Sequence, residues 1–249
     1  SLLNFPELSH LTEHVWLPMG VDISNCAARN SHAECELLPI SPPVNAIERR
    51  VLIVGDSFAA NMVSPITRLL ANSENIFLSA RITYACSYMP DGFDAWDGEC
   101  GVARANIDGI QSDEFTHLIF HIDFTGHLAK LSRDERESNL ASLTGMFNTL
   151  AKNGVHVSVI SHGDTFSEEP TRNFLFPWIE LSKRKAPREL AEYYSLWERE
   201  GVRVIKPRND ATSLPPYLLY RDTGHLSAQG SRVFLESLGI RNPEDLFLE

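Results

Sequence analysis

The sequence predicts an α/β protein, a three-layer α/β/α sandwich around a central, mostly parallel sheet. Two observations carry that expectation. Short all-apolar runs, of the kind buried on both faces of a parallel sheet, alternate with helical segments of roughly ten to fifteen residues. The chain of 249 residues is 43% apolar, with no internal repeat and no low-complexity tract, so it can bury one substantial core.

Residues 1–48 have little periodicity and are expected to form an N-terminal extension or cap, with "PISPPVNAIERR" as an extended connector into the first strand. The sandwich is then expected over residues 49–249. Val51–Val54 reads as its first buried strand. After Gly55-Asp56-Ser57, residues 58 to about 71 place Met62, Ile66, Leu69 and Leu70 at helical spacing. Further strands are expected at Ile76–Ile82, Thr116–Ile122, Val155–Ile160 and Val202–Ile205, and helices at about 134–152, 187–200 and 228–238.

Charge narrows the function classes. Lys and Arg total 22 against 33 Asp and Glu, a net charge of -11. Such a chain repels phosphate backbones, and no basic, aromatic-rich run offsets that, so neither nucleic acid nor an anionic lipid surface is expected as a partner. No stretch approaches the roughly 20 uninterrupted apolar residues of a membrane span, and the segment is expected to be soluble. It starts at Ser1 rather than Met and is expected to be a processed or excised piece of a longer protein.

The four cysteines are Cys26, Cys35, Cys86 and Cys100, and no C-x-x-C spacing occurs among them. Three pairings are open. The sequence-local ones, Cys26–Cys35 and Cys86–Cys100, are favoured, closing loops of roughly ten and fifteen residues worth about 2–3 kcal/mol each if unstrained. Their polar, loop-like surroundings favour an oxidising compartment. The alternative is four separate buried thiols in a reducing one.

Chemistry concentrates in "VLIVGDSF", residues 51–58. In open α/β sheets ligands bind beyond the carboxyl ends of the strands, and Gly-Asp-Ser lies at such an end, directly before a helix. Ser57 is thereby placed near free helix N-terminal N–H groups, which suit an oxyanion or a phosphate equally well. Asp56 is expected to shape the turn rather than react. Far along the chain, "YRDTGHLSAQG" holds Asp222 and His225 three residues apart before a terminal helix. A nucleophilic serine needs a base, and the base needs an orienting group. A carboxylate three residues before the histidine can meet imidazole Nδ1 and leave Nε2 for the serine.

Together, G-D-S at residues 55–57 and D-x-x-H at 222–225 resemble the first and last blocks of the SGNH (GDSL-type) hydrolase superfamily, with Phe58 where Leu is often found. The cysteine pair ahead of the first strand, and "TYACSYMPD" after the second, narrow the likeness to SGNH domains fused to acyltransferase-three membrane proteins. The resemblance implies a flavodoxin-like SGNH fold, a periplasmic domain of a membrane-anchored protein, and O-acetylation of a cell-surface polysaccharide through an acyl-serine. It implies a glycan acceptor, an acyl donor delivered by the fused or associated membrane domain, and no cofactor. A carbohydrate O-acetyl esterase of the same fold is the alternative. Ser57 is then the nucleophile, His225 the base and Asp222 its orienter, with backbone N–H groups at Ser57 and near Ala85 forming the oxyanion hole.

Two departures stand out. The second block normally supplies a glycine, and Ala85 is the nearest residue. The third block normally reads G-x-N-D, whereas residues 121–127 read "HIDFTGH" without Asn. A lost oxyanion donor costs about two to three orders of magnitude in rate. Two other classes compete. His121-x-Asp123 and His162-x-Asp164, joined by Asp56 and His225, are a candidate metallophosphoesterase set. Tyr84, Tyr88, Phe93 and Trp96 are a candidate sugar-stacking set for a binding module.

Overall fold

A computed structural model describes residues 35–37, 49–73, 75–83, 110, 114–161, 165–167, 170, 181–208, 219–220 and 225–247. Its centre is a sheet of β1 (Cys35–Glu36), β2 (Arg49–Gly55), β3 (Ile76–Ile82), β4 (His117–His121), β5 (His156–Ile160) and β6 (Arg203–Ile205). The spatial order is β1-β3-β2-β4-β5-β6. Five strands run parallel, and β1 alone pairs antiparallel, with β3. The helices are α1 (Ser57–Leu70), α2 (Phe124–Ala129), α3 (Arg133–Lys152), α4 (Arg188–Arg199) and α5 (Ala228–Ser237).

Successive side chains of a strand face opposite sides, and β2 divides its four apolar residues accordingly. Val51 and Ile53 join one core with Met62, Ile66 and Leu70 of α1, Phe234 and Leu235 of α5, and Leu238, which caps α5. Leu52 and Val54 join the other, with Leu140, Leu143 and Phe147 of α3 and Trp197 of α4. All four strand residues are fully buried. This is the three-layer sandwich expected from the sequence, with helices over both faces of a parallel sheet.

Expected and observed elements agree to within a residue or two. Two of these elements have no counterpart in the expectations, β1, two residues long, and α2, six residues long, which occupies part of the "HIDFTGH" stretch, and the same holds for a single 3-10 turn at Pro243–Leu246. None is long enough to display a period. Cysteine side chains, Ala85, Asp222, His162, Asp164, Tyr84, Tyr88, Phe93 and Trp96 all lie outside the described residues.

The layer over α3 and α4 is held by aromatic packing. Trp197 is fully buried, with ring centroids 5.2 Å from Phe147, 5.6 Å from Tyr194 and 5.9 Å from Phe124. Its indole N–H donates to Thr144 Oγ1 at 2.6 Å, so the polar end is satisfied as well. A capping box between Ser132 and Glu135 opens α3.

Strand order also fixes where a site can form. The chain passes from β2 outward to β3, then returns across β2 to β4, which is the point where the winding reverses. At such a switch point the carboxyl ends of the two flanking strands, here β2 and β4, separate to leave a crevice. Gly55 ends β2 there, and a Cβ on it would run into the backbone carbonyl of His121 at the end of β4. Only glycine lets the two strand ends approach so closely.

At the opposite edge, His117 and His156 are register partners whose rings stack with centroids 4.9 Å apart. Burial, then the neighbouring His156 and Arg49, pushes the His117 pKa from 6.5 down to about 4. In the unfolded chain this group takes up its proton near 6.5, before it can in the fold. Stability is therefore lost as pH falls from about 6.5 to about 4 and is unaffected by this group above that window. His117→Gln is expected to flatten the acid limb of urea midpoints measured between pH 7 and pH 4; a limb of unchanged steepness contradicts this.

Candidate active site

Ser57 is the first residue of α1, and Asp56 is its N-cap. The cap is built from the sequence in the usual way: Asp56 Oδ1 accepts the backbone N–H of Phe58 at 2.8 Å, and the Asp56 carbonyl accepts Ala60 N–H at 3.1 Å. Ser57 thus stands where first-turn N–H groups and the helix dipole present positive potential. The turn-shaping part expected of Asp56 is what its Oδ1 performs.

His225 reaches Ser57 from the other end of the chain. Its Nε2 lies 2.7 Å from Ser57 Oγ, across 168 residues of sequence. Leu226 bridges to Tyr220, and Ser227 N–H donates to the Leu219 carbonyl at 2.8 Å, which anchors the segment carrying His225. Ser227 then caps α5 by accepting Gly230 N–H, and a Cβ at Gly230 would run into the Leu219 carbonyl. The ring of Phe58 supports the imidazole, with centroids 5.4 Å apart.

Asp56 does more than cap. Its Oδ2 accepts the backbone N–H of Asp123 at 2.9 Å and faces His127 Nε2 at 2.9 Å. A buried carboxylate therefore receives donors from α1, from the segment after β4 and from α2. Burial alone raises its pKa; the hydrogen bond and charge of His127, with the N–H groups of Asp123 and Phe58, outweigh this and hold the carboxyl below its usual 3.8. Asp123 in turn caps α2 by accepting Gly126 N–H at 2.8 Å. His127 therefore occupies the stretch in which an Asn is missing, and it is bound to the G-D-S aspartate. Sequence reading did not find it. The available signal was Asp123 itself, a helix-capping residue directly after an apolar strand.

His121 is a buried structural histidine. Its Nδ1 lies 2.9 Å from the Ile160 carbonyl, which can only accept, so Nδ1 carries the hydrogen. Its ring stacks on Phe234 with centroids 6.2 Å apart. Of the residues considered for a metal, His121 is thus committed through Nδ1 and Asp56 is surrounded by donors. Among the described residues no group of three His, Cys, Asp or Glu is arranged to hold a metal ion.

The arrangement can perform one kind of step readily. Ser57 Oγ can pass its proton to His225 Nε2 while attacking an electrophilic centre. The negative charge that develops on the substrate oxygen then falls beside the α1 N-terminus.

The Asp56 clamp is testable. Removing one donor by His127→Ala is expected to cost about 1.5–3 kcal/mol in urea unfolding at pH 7, the usual range for a hydrogen bond to a charged group. Because the folded pKa of Asp56 lies below 3.8, its stabilisation is complete above that pH and is lost as the pH falls further. Asp56→Asn should therefore be less stable than wild type at pH 7, with the gap closing in acid. Equal stability at pH 7 contradicts the clamp.

With this geometry in view, comparison with known proteins is informative. A profile of the family described as "SGNH domain (fused to AT3 domains)" matches residues 24–237. Among solved structures, the chain is similar to the periplasmic domain of a lipopolysaccharide acetyltransferase from Salmonella ser. Paratyphi A. The TM-score is 0.57 at 14% identity, covering 96% of this chain and 97% of that one. It is also similar to a GDSL-like lipase from Bacteroides thetaiotaomicron (TM-score 0.53, 9% identity, 81% and 90% covered). A third is an acetylxylan esterase from Geobacillus stearothermophilus (TM-score 0.50, 11% identity, 78% and 95% covered). At these identities the likeness is one of fold. No match was found among curated protein sequences.

Proposed function

Because this chain belongs to the family of SGNH domains fused to AT3 domains, we propose that it is the extracytoplasmic O-acyltransferase module of a membrane-anchored protein, acetylating a bacterial cell-surface polysaccharide through an ester on Ser57. The observation that carries the proposal is Ser57 Oγ within 2.7 Å of His225 Nε2 at the sheet's switch point.

The reaction divides into two half-steps. Ser57 Oγ attacks the donor carbonyl as its proton moves to His225 Nε2, and the C–O⁻ that forms is met by the Ser57 N–H and by an N–H near Ala85. Collapse expels the donor's leaving group, which takes the proton from His225. A sugar hydroxyl then gives its proton to His225 and attacks the acyl carbon; Ser57 leaves and recovers the proton. Asp222 accepts the Nδ1 N–H of His225 and keeps Nε2 in the base tautomer. No cofactor enters this scheme.

The periplasmic placement is supported by the description of the family as fused to AT3 domains and by the similarity to a domain described as periplasmic. The AT3 partner is the source from which the acyl donor is delivered, and the cysteine pairs Cys26–Cys35 and Cys86–Cys100 suit an oxidising compartment. A second reading, carbohydrate O-acetyl esterase, is favoured by the similarity to an acetylxylan esterase. It differs only in water replacing the sugar hydroxyl.

Incubation with p-nitrophenyl acetate tests the proposal. Wild type should form an acetyl-enzyme seen by intact mass, Ser57→Ala none, and His225→Ala should acylate about 10²- to 10⁴-fold more slowly. Both variants matching wild type would sink it. Release of free acetate only, with acceptor oligosaccharide present, favours the esterase.

A further inference from the structure

We propose that the groove between α1 and α5 is a second binding site on this domain, one that takes a saccharide unit carrying an acidic group.

The two helices begin side by side, with Ser57 and His225 in contact at the switch-point edge. They run together to the other edge of the sheet, where Arg49, opening β2, pairs with Glu244 just beyond α5 at 3.0 Å. Between them lies a groove of about 490 Å³. Its floor is polar where packing would favour an apolar side chain. Asn61 is 1% exposed, and among the described residues neither its amide nitrogen nor its side-chain oxygen has a hydrogen-bond partner. Buried polar side chains are almost always paired, so an Asn at the base of a groove marks the place of an absent partner. The helix runs on through this turn but lacks one backbone hydrogen bond there. Pro65, also in the groove wall, offers no N–H to the Asn61 carbonyl.

The charge of the groove is opposite to that of the protein. In a chain of net charge -11, three guanidinium groups, from Arg68, Arg232 and Arg241, line this one groove. The acidic groups facing them are few: Glu236, in the groove, meets Arg232 only at 4.0 Å, and Asp245 receives the backbone N–H of Arg241 and lies in its field. Arg68 has no ion pair among the described residues.

Each part selects for one feature of a ligand. Guanidinium forks match the two oxygens of a carboxylate or the oxygens of a phosphate. A carboxamide with both donor and acceptor unused matches sugar hydroxyls, which are donors and acceptors at once, when the side chains that cover it part to admit the ligand. Leu69, only partly buried in the groove wall, gives the C–H face of a ring an apolar surface. A flat anionic membrane fits less well, since it cannot reach the sunken Asn61 and is repelled by the net charge. The site does not depend on the reading of Ser57, because binding here needs no turnover.

Isothermal titration with trigalacturonate, with its methyl ester, with inorganic phosphate and with phosphatidylglycerol vesicles tests the proposal. Trigalacturonate should bind saturably, and the ester and phosphate at least tenfold more weakly. Arg68→Ala with Arg241→Ala should weaken binding at least tenfold while p-nitrophenyl acetate turnover is unchanged. Asn61→Leu should lose binding yet raise the melting temperature, because the orphaned amide is gone. No saturable binding of trigalacturonate, equal binding of the ester, phosphate or vesicles, or full affinity in the arginine variant would overturn the proposal. So would an Asn61→Leu protein that is less stable and still binds.

Discussion

The carboxylate of Asp56 joins the end of β2, the start of α1 and the segment that follows β4, and the candidate site depends on that junction. A buried ionised acid is costly unless its lone pairs are met. Here the N–H groups of Phe58 and Asp123 and the imidazole of His127 meet them, at 2.8, 2.9 and 2.9 Å. Gly55 permits the close approach and Asp56 locks it, which leaves Ser57 one residue later with little freedom at the head of α1. His225 needs only to arrive from the C-terminal side, and the bridge of Leu226 to Tyr220 brings it there.

The two faces of the sheet divide the work. Over α3 and α4 the core is tightly packed and aromatic, and its buried polar end at Trp197 is satisfied by Thr144. Over α1 and α5 the same sheet supports one helix that opens with Ser57 and another that begins three residues after His225. Farther along, these helices enclose a groove with the unpartnered Asn61 amide.

Much of this was legible in the sequence because the layers impose strong local patterns. All-apolar strands and periodic helices gave β2 to β6 and four of the helices, and the ordered motifs G-D-S and D-x-x-H pointed to Ser57 and His225 despite their separation. Other features left no such pattern. The edge strand at Cys35–Glu36 and the short helix Phe124–Ala129 are below the length at which a period can be read. The pairing of Asp56 with His127 joins residues 71 apart, and His127 sits in a stretch that departs from the family pattern. Asn61 lies among the apolar residues of α1, where periodicity reports the buried face but not an unpaired amide upon it.

The central claim, that Ser57 is a nucleophile activated by His225, is tested most directly by phosphonylation. A fluorophosphonate places a tetrahedral electrophile where the acyl carbon would sit, and peptide mass spectrometry locates the adduct. The account predicts one adduct per chain, on the peptide containing Ser57, forming about 10²- to 10⁴-fold more slowly in His225→Ala. An adduct on another residue, or a rate indifferent to His225, would contradict it.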